Sequence, residues 1–97
     1  MIPYSFHPEA ETELVEATLF YESRVEGLGR LYAAEVSRII SFVREYPDAG
    51  TQVRADTRRA LVDRFPYVVV YQHRQGEILV LAVAHISRRP GYWRRRT

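Results

Sequence analysis

Apolar and polar positions alternate at the start of the chain, with Ile2, Tyr4 and Phe6 against Pro3, Ser5 and His7. That period of two predicts a short strand with one buried face. From Pro8 onward the period lengthens: Ala10, Leu14, Ala17, Tyr21 and Val25 recur at helical spacing. Proline at the first helical position and the acids Glu9, Glu11 and Glu13 behind it suit a helix start, so a first helix is expected from about Pro8 to Glu26. Gly27-Leu28-Gly29 interrupts it. Leu28, Leu31, Tyr32, Val36, Ile39, Ile40 and Val43 then share one face of a second helix, the strongest amphipathic pattern in the chain. It stops at Tyr46-Pro47, because the residue before a proline resists the helical region. Pro47-Asp48-Ala49-Gly50 reads as a turn, and the short connection between the helices predicts an antiparallel hairpin.

The second half changes to a strand pattern. Thr57 to Arg64 alternates loosely, Phe65-Pro66 punctuates, and Tyr67 to His73 is an aromatic and β-branched run. Arg74-Gln75-Gly76-Glu77 suits a tight hairpin turn. Ile78 to Ile86 is almost continuously apolar until His85, as in a strand with both faces covered. The expected fold is a two-layer α+β domain spanning residues 1–97. It has an N-terminal strand, an antiparallel two-helix hairpin and a three-strand antiparallel meander, with the helices on one face of the sheet. Counting one reversal per short connection, the last strand should run opposite to the first. The end of the last strand at His85 should lie beside the Arg64-Phe65-Pro66 turn, with Arg58 and Arg59 toward the far end or mid-sheet.

Composition narrows the chemistry. There is no cysteine, which removes disulfides and thiolate metal sites, and His7, His73 and His85 are too scattered to suggest a metal by spacing. No cofactor motif is present. No apolar run approaches membrane-spanning length and no signal-peptide pattern opens the chain, so a cytoplasmic protein without membrane contact is expected. The net charge is only +2, but residues 1–50 hold nine acids and four arginines, while residues 51–97 hold three acids and ten arginines. All fourteen basic residues are arginine. A basic half points to an acidic or polyanionic partner.

The arginines concentrate in the run His85 to Arg96, where Arg88, Arg89, Arg94, Arg95 and Arg96 enclose Tyr92 and Trp93. Two readings of this tail stand. Guanidinium groups could pair with phosphates while aromatic rings stack on unpaired bases. Alternatively, Tyr92 and Trp93 could fold back over the sheet. His85 could act as a general acid or base near neutrality, or be a strand-end histidine bonded to backbone. Near it, Arg64 and Arg88 could stabilise a charged transition state and Tyr92 could orient a nucleophile. Arg54, Arg58 and Arg59 form a second basic group, suited to phosphates, to acids of a bound protein, or simply to a solvated edge. Glu9, Glu11, Glu13 and Glu16 on the first helix read as a solvated face.

Taken in order, the sequence resembles the RelE/ParE superfamily of bacterial toxins. The resemblance rests on Tyr4-Ser5-Phe6-His7-Pro8-Glu9-Ala10-Glu11, on Tyr21-Glu22, and on Gly27-Leu28-Gly29. It continues through Phe65-Pro66-Tyr67-Val68-Val69-Val70-Tyr71 and Ala82-Val83-Ala84-His85 to Arg88-Arg89-Pro90-Gly91-Tyr92-Trp93. It implies the toxin of a type II toxin–antitoxin pair, neutralised by a cognate antitoxin protein. RelE-like members cut messenger RNA on the ribosome, and ParE-like members poison DNA gyrase. On a RelE-like reading, Arg58 or Arg59 would be the middle-strand basic group, with His85 and Tyr92 as the terminal groups. The sequence departs from that branch in having no lysine, and Gln52 to Asp56 stand where a glutamate base would precede the second strand. The Pro90-Gly91-Tyr92-Trp93 ending is closer to the ParE-like side. There, Arg54, Arg64, Arg88, Arg89, Trp93 and Arg94 would meet the target or the antitoxin. A non-toxic module that only binds antitoxin is a third reading.

Overall fold

A computed structural model describes residues 1–96. Its elements are β1 (Tyr4–Phe6), α1 (Pro8–Arg24), α2 (Leu28–Glu45), β2 (Thr51–Arg54), β3 (Thr57–Leu61), β4 (Tyr67–Arg74) and β5 (Glu77–His85). They form one five-stranded sheet in the order β1-β5-β4-β3-β2, with the helices packed on one face. The expected α+β layout holds, with one strand more than the expected three-strand meander. β2 escapes a pattern search because its four residues, Thr-Gln-Val-Arg, are all exposed and have no apolar face to alternate. The extra strand adds one reversal, so β5 does not run opposite to β1: the two pair in parallel, Tyr4 to Phe6 against Ile78 to Val80.

Each helix end has a local cause. His7 caps α1, its Nδ1 accepting from the Glu9 N–H at 3.1 Å, with Pro8 in the first turn. α2 has no side-chain cap of its own. The carboxylate of Glu22, on the preceding helix, accepts from the Gly27 N–H at 2.8 Å and the Gly29 N–H at 3.0 Å, satisfying donors that α2 leaves open. Gly27 is required by its φ of +86°. Gly29 is required by contact, since a Cβ there would run into the Thr18 carbonyl oxygen of α1.

The sheet is covered on both faces. On the helix side, Ala10, Tyr32, Val36, Ile40 and Val43 pack against Val69, Tyr71, Ile78, Val80 and Val83. On the other side, Val70, Leu81, Ala82 and Ala84 pack against Trp93 from the tail. The β4–β5 register shifts between Val70 and Tyr71, whose partners are Ala82 and Val80. Leu81 is thus the extra residue of a bulge, and consecutive Leu81 and Ala82 both point away from the helices.

The Gly27 N–H, together with Gly29 and Arg30, holds the Glu22 carboxyl below its usual pKa against the opposing effect of desolvation. A carboxyl depressed below its unfolded value of about 4.3 stabilises above that pH and loses the contribution as pH falls through the folded value. Thermal melts from about pH 6 to about pH 3 should therefore show wild type losing more of its Tm than Glu22→Gln, which already lacks the contribution at neutrality.

Candidate functional site

Beyond β5 the chain turns at the edge of the sheet. The Ile86 N–H bonds the Pro66 carbonyl at 2.9 Å and the Arg88 N–H bonds the His85 carbonyl at 3.0 Å. Gly91 turns at φ +77°, and Trp93 is laid on the outer face of the sheet. Between the tail and the sheet lies a cleft of about 180 Å³. Its apolar floor comes from Val68, Val70 and Ala84. Arg54 and Arg59 stand on the sheet side, and Arg88, Arg89 and Arg94 on the tail side. No carboxylate lines it. Among the described residues, no carboxylate comes within ion-pair distance of Arg54, Arg59, Arg88, Arg89, Arg94 or Arg95.

Arg58 and Arg64 sit apart from this face. Arg58 pairs with Tyr71 across β3 and β4, which directs it to the helix side. Its Nη1 donates to the carbonyls of Asp48 at 3.1 Å and Gly50 at 2.8 Å. The Tyr71 hydroxyl closes the same loop, donating to Pro47 O at 2.7 Å and accepting from the Gly50 N–H at 3.1 Å. Arg64 lies in the turn that meets His85, but its φ is +70° and its Nε lies 3.4 Å from the buried Glu35 carboxylate on α2. A non-glycine residue adopts that backbone conformation at a cost, and here it turns the side chain toward α2 and away from the cleft. His85 sits edge-on to Tyr67, with centroids 5.2 Å apart, and its Nδ1 accepts from the Ser87 N–H at 3.0 Å. It stands at the rim, between the cleft and a shallower depression lined by Glu13, Glu16 and Phe20 of α1.

Tyr92 and Trp93 fold back, as the second reading of the tail expected. Trp93 is 8% exposed. Tyr92 is flanked by the guanidinium groups of Arg88, 3.8 Å from its ring centroid, and Arg96, 4.9 Å away. Its hydroxyl donates to Glu13 at 2.7 Å. Burial first, then the Glu13 bond and charge, push this phenol well above its ordinary range. For Arg96, burial works to lower the pKa, but the Glu13 bond and charge outweigh it and the net shift is upward. Glu13 and Arg96 are the residues that sequence reasoning missed as a pair. A signal existed: Glu13 falls three residues after Ala10 and four before Ala17, on the buried stripe of α1 and not on its solvated face.

A family model described as "ParE toxin of type II toxin-antitoxin system, parDE" matches residues 4–90. No curated protein matches. Among solved structures, a chain of the "Chromosomal ParDE TA system from P. aeruginosa" superposes with a TM-score of 0.73 at 14% identity, covering 88% of this chain and 96% of that one. At that identity the likeness concerns the fold.

Two outcomes follow from the placements. In urea, Arg58→Ala should cost about 1–2 kcal/mol through its lost loop bonds, while the exposed Arg59→Ala should change stability by less than about 0.5 kcal/mol. In alkali, burial holds Tyr32, Tyr67, Tyr71 and Tyr92 in the neutral form. Groups with raised pKa values stabilise fully below the unfolded value of about 10 and cease to as pH rises through the folded value. Ultraviolet titration of the seven tyrosines should show these four ionising only as the fold opens.

Proposed function

The chain belongs to the family of ParE toxins of type II toxin–antitoxin systems, and we propose that it arrests growth through its arginine-walled face and is neutralised by an antitoxin that covers that face. The observation that carries this reading is the cleft itself: an apolar floor between arginines of the sheet and of the tail, with no carboxylate lining it. An acidic segment with an interspersed apolar side chain fits such a surface. The cations would steer it in and the floor would remove its apolar group from water. The structural neighbour comes from a ParDE toxin–antitoxin system, which supports a cognate antitoxin as the partner here. The target in this proposal is cytoplasmic; separately, no helix among the described residues is long and apolar enough to cross a membrane.

For the target we favour DNA gyrase over messenger RNA on the ribosome. Of the groups that RNA cleavage would call on, Arg59 and His85 line the cleft, but Arg58 and the Tyr92 hydroxyl are engaged elsewhere. Arg58 holds loop carbonyls, the Tyr92 hydroxyl is bonded to Glu13, and His85 Nδ1 is bonded to Ser87. None of the three bonds another, and general acid–base chemistry needs its partners within hydrogen-bond reach of one reacting centre.

Expressed alone, the chain should arrest growth, with trapped gyrase–DNA complexes and no new messenger ends by primer extension. Co-expression of the neighbouring small gene should restore growth. Messenger cleavage abolished by His85→Ala would turn the assignment to the nuclease, and harmless expression at high yield would leave the antitoxin-binding module. Arg59→Glu and Arg89→Glu should each weaken antitoxin binding by about tenfold or more at low salt, with the difference shrinking as salt is raised.

A further inference from the structure

β1 supplies β5 with a partner only as far as Val80, whose carbonyl takes the last bond from the His7 N–H at 2.8 Å. Beyond it the same edge of β5 has no strand beside it among the described residues. The Leu81 carbonyl and the Val83 N–H on that edge would be unsatisfied in a buried setting. Side chains take them instead. Glu13 Oε1 accepts from the Val83 N–H at 3.0 Å, and Arg96 Nη1 donates to the Leu81 carbonyl at 3.1 Å. The two side chains then close on each other: Arg96 Nη1 and Nη2 reach the two Glu13 oxygens at 2.9 and 3.0 Å, and Oε2 also accepts from Tyr92. Both ions are largely buried, their side chains 15% and 10% exposed.

We infer that Glu13 is the positioning residue of the basic face, acting through Arg96 and Tyr92 to hold the tail against the sheet. The backbone of the tail cannot do this. From Arg89 to Arg96 its N–H bonds run within the tail, Tyr92 to Arg89, Arg94 to Gly91 and Arg96 to Trp93, and none reaches a strand or helix. Two side-chain anchors remain, the Trp93 seat and the Glu13 ring. Loss of the Glu13 charge would leave Arg96 a buried cation whose remaining carboxylate partner, the exposed Glu9, lies 3.7 Å away. Such a cation moves to water, and the tail moves with it. Arg88, Arg89 and Arg94 form one wall of the cleft and Arg54 and Arg59 the other, so release of the tail takes the cleft apart. Tyr92 and Arg96 lie beyond the span that the family model matches.

Trp93 is the sole tryptophan, so its emission reports the tail directly. In Glu13→Gln and Arg96→Ala, emission should shift to the red and acrylamide quenching should rise severalfold, while far-ultraviolet circular dichroism and cooperative melting persist. Arg96→Lys, which keeps the charge, should restore part of the blue emission. Glu11→Gln, which removes a charge from the exposed side of α1, should leave emission, arrest and antitoxin binding unchanged. Unshifted emission in both Glu13→Gln and Arg96→Ala would overturn the inference and leave the toxin reading standing. Should Glu13→Gln not fold, Arg96→Ala alone decides, because Glu13 keeps its Val83 bond there. The functional arm rests on the toxin reading. With the tail released, antitoxin affinity should fall by about tenfold or more and arrest should be lost. A released tail with arrest and affinity intact would overturn both the positioning role and the reading of this face as the toxin surface.

Discussion

A strand that is apolar on both faces needs two covers, and in this fold the two covers meet at one carboxylate. β5 buries Ile78, Val80 and Val83 beneath the helices and Leu81, Ala82 and Ala84 beneath the tail. Glu13 belongs to the first cover and bonds the second, while also satisfying the strand between them. Neither cover could be exchanged alone without leaving a polar group of the other in a dry place. The bulge at Leu81 is part of the same arrangement, since it turns two successive apolar side chains toward the tail.

The charge split of the sequence is resolved partly within the molecule and partly at its surface. Of the five ion pairs among the described residues, four join an acid of the first half to an arginine of the second: Asp48 with Arg58, Glu35 with Arg64, and Glu9 and Glu13 with Arg96. The acidic first half and the basic second half are thus joined across the fold at three arginines, Arg58, Arg64 and Arg96. Of the arginines without an ion pair among the described residues, Arg54, Arg59, Arg88, Arg89 and Arg94 share one face, and a surface of one sign draws an oppositely charged partner.

The elements were legible where periodicity and punctuation agree. Pro8, Gly27, Pro47 and Gly76 mark ends that the structure keeps to within about two residues. β2 was not legible, since an edge strand exposed along its length has no periodic signature. That single omission inverted the expected direction of β5 relative to β1. The location of the basic face could be read from arginine density, but its membership could not. Arg58 and Arg59 are adjacent in sequence and point to opposite faces, one into a loop and one into the cleft. Arg64 follows its left-handed backbone to Glu35. Glu13 was hidden among acids that look alike in sequence, and only its register with Ala10 and Ala17 separates it from Glu11 and Glu16.

The contacts that seat the tail join residues 79 and 83 positions apart. Synthesis therefore brings out Glu13 early and its partners late. α1 and α2 can pack, and the strands can pair, while residues 92 to 96 are still unmade. Until Arg96 appears, Glu13 waits without its counterion and the arginines of residues 88 to 94 have no fixed arrangement. The order of translation thus withholds the arrangement of the cationic surface until Arg96 has been added. A chain ending just after β5 would hold both helices and all five strands but would lack the residues that seat the cationic surface.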